Sequence, residues 1–428
     1  MVAAQLIHRD FSDIVQQFGD TVNTRRPGEF VAKRKGNADE VTIQDATATN
    51  VAVKLNQWVY TSFMIKDGEE SKAFKDLVAE YMAPAMLAQA RHVDQVILGQ
   101  YAQFLENNFG SLGGLTPSTA KTYILGTRNV MNKNKAYMQN RNLILTPNSE
   151  TSILGLDLFL AAQDVGDNGT ALQEAALGRK LAFDMYMAQN MATVLTGNTT
   201  SLGALNEAGS VGETVLDVDG FTGAVSTGGW LTIAGDDTPY RVAAHTETLG
   251  NTTQITLHTG LRYAVLDNAV VTFYVPGAIN FVAGYDEGYD KEIVVDGFTV
   301  APQVGQLVSF TNDNATSPIY TIIGVTGLVG ITLDRPLEAD IANNDEVNIG
   351  PAGEYNLAFH RNAMTMVIRP LAAPKEGTGA RSTVVNYNGL SMRATITYDG
   401  RKQGHLVTLD MLFGIKVLDE NLAAVMFG

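Results

Sequence analysis

A chain of 428 residues, 45% of them hydrophobic, with 41 glycines, 12 prolines and no low-complexity tract, is longer than one core usually supports and excludes a disordered or fibrous protein. Its formal net charge of −15 opposes sequence-wide nucleic-acid binding and leaves room only for local basic patches. The absence of cysteine excludes disulfides, thiolate metal sites and cysteine nucleophiles, suits a reducing compartment, and leaves stability to packing or assembly.

The first stretch, MVAAQLIHRDFSDIVQQFGD, has no signal-peptide h-region, and no apolar run approaches the roughly 20 residues that cross a bilayer. A soluble protein made in a cytoplasm is expected. Residues 1–27 lack sustained periodicity and read as an arm. From 29 to 65 the pattern becomes strand-like: in NVAVKLNQWVYTSFMI, Val51, Val53, Leu55, Val59, Phe63 and Ile65 share one parity, while Lys54, Asn56 and Ser62 hold the other. An extended hairpin this long is marginal alone and predicts support from outside its own core, such as a neighbouring subunit.

Residues 71–107 carry the longest helical pattern, with Phe74, Leu77, Val78, Tyr81 and Met82, then Val93, Val96, Ile97, Tyr101, Phe104 and Leu105, at three- and four-residue steps. Pro84 is expected to kink or divide it. Thr116 and Pro117 predict the cap and first turn of a further helix, RNLILTP a buried strand, Asn148 or Ser149 the start of another helix, and LAFDMYMA a strand. Residues 111–194 therefore read as a compact α+β unit.

Near 195 the composition turns to Gly, Thr, Val, Asp and Asn in short alternating runs, and an all-β segment is expected to about 353. Within it VDGFT occurs twice, at Val218 and at Val295, as the best-kept part of a longer correspondence. Strand, Gly turn, strand, aspartate-rich turn, Tyr-bearing strand and ITL strand recur in one order. An internal duplication of about 75 residues accounts for this. Beyond it, EYNLAFHRNAMTMVIRPLAAP leads to two closing strands, GLSMRATITYD and HLVTLDMLFGIKVL.

No phosphate loop, dinucleotide fingerprint, H-E-x-x-H or G-x-S-x-G is present, and the six histidines are scattered singly. DVDG at Asp217 lacks the later donors of a calcium loop and reads as a hairpin turn, and GYDEGYD at Gly284 reads as a solvated connector. Arg25, Arg26, Lys33, Arg34 and Lys35 form a basic cluster with two readings: a charged edge that resists aggregation, or a dock for an acidic neighbouring subunit.

The order of arm, extended hairpin, long helix, α+β unit and closing strands resembles the Hong Kong 97-type major capsid proteins of tailed bacteriophages, in the branch with a β insertion domain. The stretches that carry the resemblance are GDTVNTRRPGEF, LAFDMYMAQNM, NLAFHRNAMTMVIRPL and TYDGRKQGHLVTLDMLFGIKVL. The resemblance implies an α+β fold with an N-terminal arm (1–27), an extended loop over the adjacent subunit (28–68), a spine helix of the peripheral domain (69–110), an axial domain (111–194), a duplicated all-β insertion (195–352) and a return through the axial domain to the closing strands of the peripheral domain (353–428). It implies a non-enzymatic, self-assembling icosahedral shell of hexamers and pentamers, located in the virion, assembled in the host cytoplasm and without membrane contact. Its expected partners are scaffolding, portal and cement proteins and double-stranded DNA held without sequence specificity. No cofactor is implied. Arg25, Arg26, Lys33, Arg34, Lys35, Trp58 and Tyr60 are the candidate subunit-interface residues, and no Lys–Asn–Glu crosslinking set can be matched. The alternative is an adhesin or carbohydrate-binding protein using the β modules, for which Trp230, Tyr240, Tyr263 and Tyr320 are the rings to examine. A carboxylate-pair hydrolase comes third.

Overall fold

The computed structural model describes all residues except 1–2, 12–15, 27–31, 38–39, 41–48, 157–176, 196–199, 224, 312–317, 376–378 and 388–389. The chain forms two compact units, one of residues 1–6, 90–363 and 419–428, the other of residues 7–89 and 364–418.

The first unit is centred on a seven-stranded sheet. Its main path runs Asn108–Phe109, Ala423–Phe427, Gly353–His360, Arg141–Leu145, Phe183–Met187 and Gly178–Lys180, and Thr193–Val194 pairs with the start of Gly353–His360. RNLIL and AAVMF are buried at every position, the pattern of strands covered on both faces. The helix Ala120–Lys133 presents Ala120, Tyr123, Ile124 and Met131 to Leu143, Leu145 and Met426 in one core. Tyr101 stacks on Tyr355 at 5.0 Å, and Phe427 meets Tyr355 edge-on at 5.8 Å.

Several local expectations shift. The Thr116 carbonyl accepts the first i to i−4 bond, from Ala120 N, and the regular helix begins three residues after Pro117, past a turn in which the Thr116 hydroxyl is bonded to those of Ser118 and Thr119. The next helix, Pro147–Leu154, starts one residue before Asn148 and is capped by Thr146: its Oγ1 accepts from Ser149 N at 3.2 Å and Pro147 supplies the first turn. The strand Ala423–Phe427 was not anticipated, since five unbroken apolar residues show no period.

Between Val194 and Gly353 lie two closed six-stranded barrels. The first runs Thr200–Leu205, Val215–Asp219, Asn251–Leu257, Tyr240–Thr248, Trp230–Ile233 and Val270–Tyr274 around its wall. The second runs Gly277–Ile279, Ile293–Asp296, Gly330–Leu333, Tyr320–Thr326, Leu307–Phe310 and Glu346–Ile349, which is the same connectivity. VDGFT has the same task in each. Val218 and Val295 point into the cores, and Asp219 and Asp296 pair with Ala204 and Ala278. Gly220 and Gly297 turn the chain at φ +76° and +77°, a conformation that costs a side-chain-bearing residue. The ring that follows, Phe221 or Phe298, lies so close over Gly203 or Gly277 that a Cβ there would sit 2.3 or 2.4 Å from it. The tyrosines at the head of Tyr240–Thr248 and Tyr320–Thr326 accept from Arg262 N and Glu338 N, closing the same loop twice.

The second barrel is tied to the end of the long helix. Thr321 Oγ1 donates to the Gly99 carbonyl at 2.7 Å, Gln100 Nε2 donates to the buried Asp334 at 3.0 Å, and Tyr101 donates to the Gly305 carbonyl at 2.6 Å. Burial pushes the Asp334 carboxyl up, while Arg335 and the Thr321 N–H hold it down.

Three histidines of this unit, His92, His258 and His360, are pushed below the ordinary 6.5, first by burial and, at His258 and His360, also by Arg241 and Arg141. His360 Nδ1 accepts from Asn362 N, which requires that nitrogen to be unprotonated. The unfolded chain then binds protons more readily than the folded one, so stability is full above 6.5 and falls as pH drops below it. Melting temperature should decline on acidification from pH 7 to 5, and His360→Gln should flatten that decline; an unchanged slope refutes the assignment.

The second unit is a six-stranded sheet ordered His8–Phe11, Met364–Arg369, Gly404–Val417, Leu390–Asp399 and Arg381–Tyr387, with Gln57–Lys66 on the other edge of Gly404–Val417. Part of the expected arm is a sheet strand, with His8–Phe11 paired in parallel with Thr365 to Ile368. The expected single hairpin also divides. Thr21–Arg26 pairs with Thr49–Lys54 as a separate ribbon, whose Val53 and Leu55 pack on Val367 and Leu412. The chain then turns at Leu55 and Asn56, and Gln57–Lys66 joins the large sheet. The helix runs Asp67–Gly99, with a 3-10 turn Gln100–Phe104, and passes Pro84 undivided. At 1.5 Å per residue its 33 residues span roughly 50 Å. The side chains of 69–80, including Phe74, Leu77 and Val78, lie outside the described set.

Candidate subunit interface

Alternation along Gln57–Lys66 sorts its side chains onto two faces. Phe63 and Ile65 share one face with Val407, and the Phe63 ring meets the Tyr81 ring of the long helix at 5.9 Å. Gln89 Nε2 reaches the Leu409 carbonyl at 2.6 Å from the same helix. On the other face Trp58 and Tyr60 stand 51% and 69% exposed. Tyr60 is the cross-strand partner of Asp410, which is ion-paired through both oxygens with Arg393, and Val384 follows on the next strand. One step along, Ser62 and Thr408 hydroxyls lie 3.0 Å apart and Ser382 and Thr395 hydroxyls 3.3 Å apart. The face therefore combines two exposed rings, a fixed ion pair and a hydroxyl row, a mixture suited to a protein partner.

The long helix supplies a second surface. Residues 81–88, YMAPAMLA, contain no charge, although only Ala85 and, one residue beyond the stretch, Gln89 are buried. Tyr81, Met86 and Leu87 are 43%, 44% and 51% exposed. A helix apolar on all sides is normally covered on all sides, which makes this stretch a candidate contact surface. The spacing of Tyr81 and Met82 predicts a helix and does not mark a contact surface; the signal for one is eight uncharged residues in a row.

Of the predicted basic cluster, Lys33, Arg34 and Lys35 are exposed and outside regular structure. Arg25 and Arg26 end the strand Thr21–Arg26, opposite Asn50 and Thr49. Residues 27–31, which join the two groups, and the side chains of Arg25 and Arg26 lie outside the described residues.

The formal charge is divided sharply. Residues 200–274 hold eight acidic and two basic side chains and residues 277–350 eleven and two, which together account for the whole −15; the rest of the chain has 26 of each sign.

Other chemistry finds little support. A cleft of about 410 Å³ lined by Leu112, Asn148, Ser152, Thr193 and Glu354 has one carboxylate side chain, and Thr146 and Ser149 hydroxyls already donate to it. Among the described residues no three His, Asp or Glu side chains converge as a metal site, and no helix is long and apolar enough to cross a membrane. Of the four rings named for a carbohydrate platform, Trp230, Tyr240 and Tyr320 are buried in or against the barrel cores and Tyr263 alone is exposed.

No protein-family model and no curated protein matches the chain. Solved structures of phage origin are similar to it. They include a chain of Mycobacterium phage Che8 (12% identity, TM-score 0.44, 99% of this chain and 90% of that one) and a chain of the cyanophage P-SCSP1u capsid (10%, 0.45, 98% and 85%). A third is a chain of the mature capsid of bacteriophage PhiM1 (8%, 0.42, 98% and 84%). Identities of 8–12% do not allow residues to be matched one to one between these chains.

Proposed function

We propose that this chain is the major capsid protein of a tailed double-stranded DNA bacteriophage, a Hong Kong 97-type coat protein that builds an icosahedral shell around the genome. The observation that carries the reading is the uncharged stretch 81–88, half exposed on a helix whose other side rests on a sheet. A chain that leaves such a surface open gains most by covering it with further copies of itself. The order of capsid-like stretches in the sequence supports the same conclusion, as do the exposed Trp58 and Tyr60 and the ribbon Thr21–Arg26/Thr49–Lys54.

In this reading the second unit is the peripheral domain, and the sheet of the first unit is the axial domain. The barrels are an inserted, duplicated module. Its 19 acidic and four basic side chains would be repelled by DNA, so the module belongs away from the genome. Scaffolding, portal and cement proteins are the expected assembly partners in the host cytoplasm. Negative-stain microscopy of the purified chain, alone and with a scaffolding partner, should show closed shells; small monodisperse particles under both conditions would refute the proposal. Trp58→Ala with Tyr60→Ala should cut shell yield several-fold with little effect on melting, since both side chains are more than half exposed.

A further inference from the structure

The two barrels close in the same way but differ at one end. Between the strand ending at Leu205 and the bridge residue Gly209, the first barrel has the three residues Asn206, Glu207 and Ala208. Between Ile279 and the equivalent bridge residue Tyr285, the second has five, Asn280 to Gly284, and its surplus includes Phe281 and Val282. Phe281 stacks on Tyr285 at 4.9 Å, and Tyr285 meets Tyr289 at 4.6 Å. The first barrel closes with Gly209 and Glu213 at the places that the two tyrosines occupy, so closure does not require this ladder of rings.

The ladder is held in place. Tyr285 OH accepts from Val294 N at 2.8 Å, Tyr285 and Ile341 exchange backbone bonds, and Gly284 N closes a turn on the Phe281 carbonyl that lifts Val282 to the tip. Val282 is 92% exposed and Phe281 44%. Asp286, Glu287 and Asp290 follow the tip in the chain and Asp340 is bonded to Glu287 N at 2.7 Å; all four are exposed, and Lys291 is the one basic residue between 280 and 292. An exposed ring stacked on its neighbour in an acidic stretch of chain fits a cationic segment, whose guanidinium or ammonium can lie on the ring while its neighbours pair with the carboxylates.

We propose that this end of the second barrel docks the segment Lys33, Arg34 and Lys35 of a second copy of the chain. Those side chains are exposed and consecutive, and the acidic barrels carry the opposite charge. The inference rests on the shell reading, and adds which surface the basic segment meets.

The chain has no cysteine, so engineered pairs report cleanly. Arg34→Cys and Val282→Cys chains, mixed, assembled and oxidised, should give a disulfide dimer of twice the 46.0-kDa mass, at least fivefold above either chain alone. It should also exceed fivefold the yield of Arg34→Cys with Leu249→Cys, which is 99% exposed on the first barrel. Shells that form with no preference for the 282 pair overturn the docking and leave the shell reading standing. If no shell forms, the shell reading fails, and a labelled peptide of residues 32–37 tests the pairing on the unassembled chain by fluorescence anisotropy. Salt-sensitive binding weakened at least tenfold by Phe281→Ser with Val282→Ser supports it; no binding, or binding indifferent to the two changes, overturns it.

Discussion

Chains carrying Met86→Glu and Leu87→Glu are expected to fold normally and to remain unassembled. Both side chains stand about half exposed, so replacing them removes little burial from the folded monomer. Surface changes away from special features alter stability by about 0.5 kcal/mol or less. Assembly is different. Full burial of such a side chain is worth about 1.5–3 kcal/mol, so covering the exposed half contributes roughly 1 kcal/mol each, and an unpaired carboxylate in the covered interface costs several more. A shell repeats that loss at every contact, so particle yield should fall more than tenfold. Sedimentation velocity reads the yield, and thermal melting reads the fold. Leu87→Met conserves volume and chemistry and should assemble as the wild type does. Normal shells from the double glutamate chain would show that residues 81–88 face solvent in the particle, and the observation behind the proposed function would fall.

That surface was hard to see in the sequence for a physical reason. Tyr81 and Met82 fit a helical spacing, and spacing reports which residues can share a face, not whether anything covers it. The hairpin reading failed in a related way. Val51 to Ile65 share one parity, yet Leu55 packs with Leu412 on the Trp58 face of the sheet, while Phe63 lies on the opposite face. The chain turns over at Leu55 and Asn56, and because both halves bury their odd residues, alternation cannot register the turn. Where a position needs one residue type for a local cause, the sequence was more informative. The repeated VDGFT stands in each barrel where a core valine, a left-handed glycine and a ring over a bare glycine are needed together. Of the candidate interface residues, Trp58 and Tyr60 were identifiable as large rings at polar-parity positions, whereas Phe281 and Val282 emerge only when the second barrel is set beside the first.

The equivalence of the two VDGFT rings leads to an unequal pair of outcomes. Phe221→Ala and Phe298→Ala each remove a buried ring from a closed core and leave its partner glycine bare, a loss of about 3–5 kcal/mol in either barrel. The consequences should then diverge. The first barrel meets the rest of its unit through the Leu112 N–H on the Asp237 carbonyl at 3.2 Å, the Arg262 guanidinium over Phe109, and the Gly228 carbonyl, which accepts from Ser309 of the second barrel. The second holds the last carbonyl of the long helix through Thr321 and surrounds Asp334 with Gln100, Thr321 and Arg335. Unfolding it takes the Thr321 hydroxyl away from the Gly99 carbonyl and the Asp334 carboxylate away from Gln100 Nε2, so the helix end loses both ties and opens together with the barrel. Hydrogen exchange should therefore show Phe221→Ala loosening mainly residues 200–274, while Phe298→Ala loosens 277–350 together with the helix end around Val96 to Tyr101. Equal spread in both variants would mean that the ties at Gly99 and Asp334 do not couple the second barrel to the helix. The corresponding glycine changes, Gly220→Val and Gly297→Val, force a β-branched residue to positive φ and should reproduce the same asymmetry by a separate route.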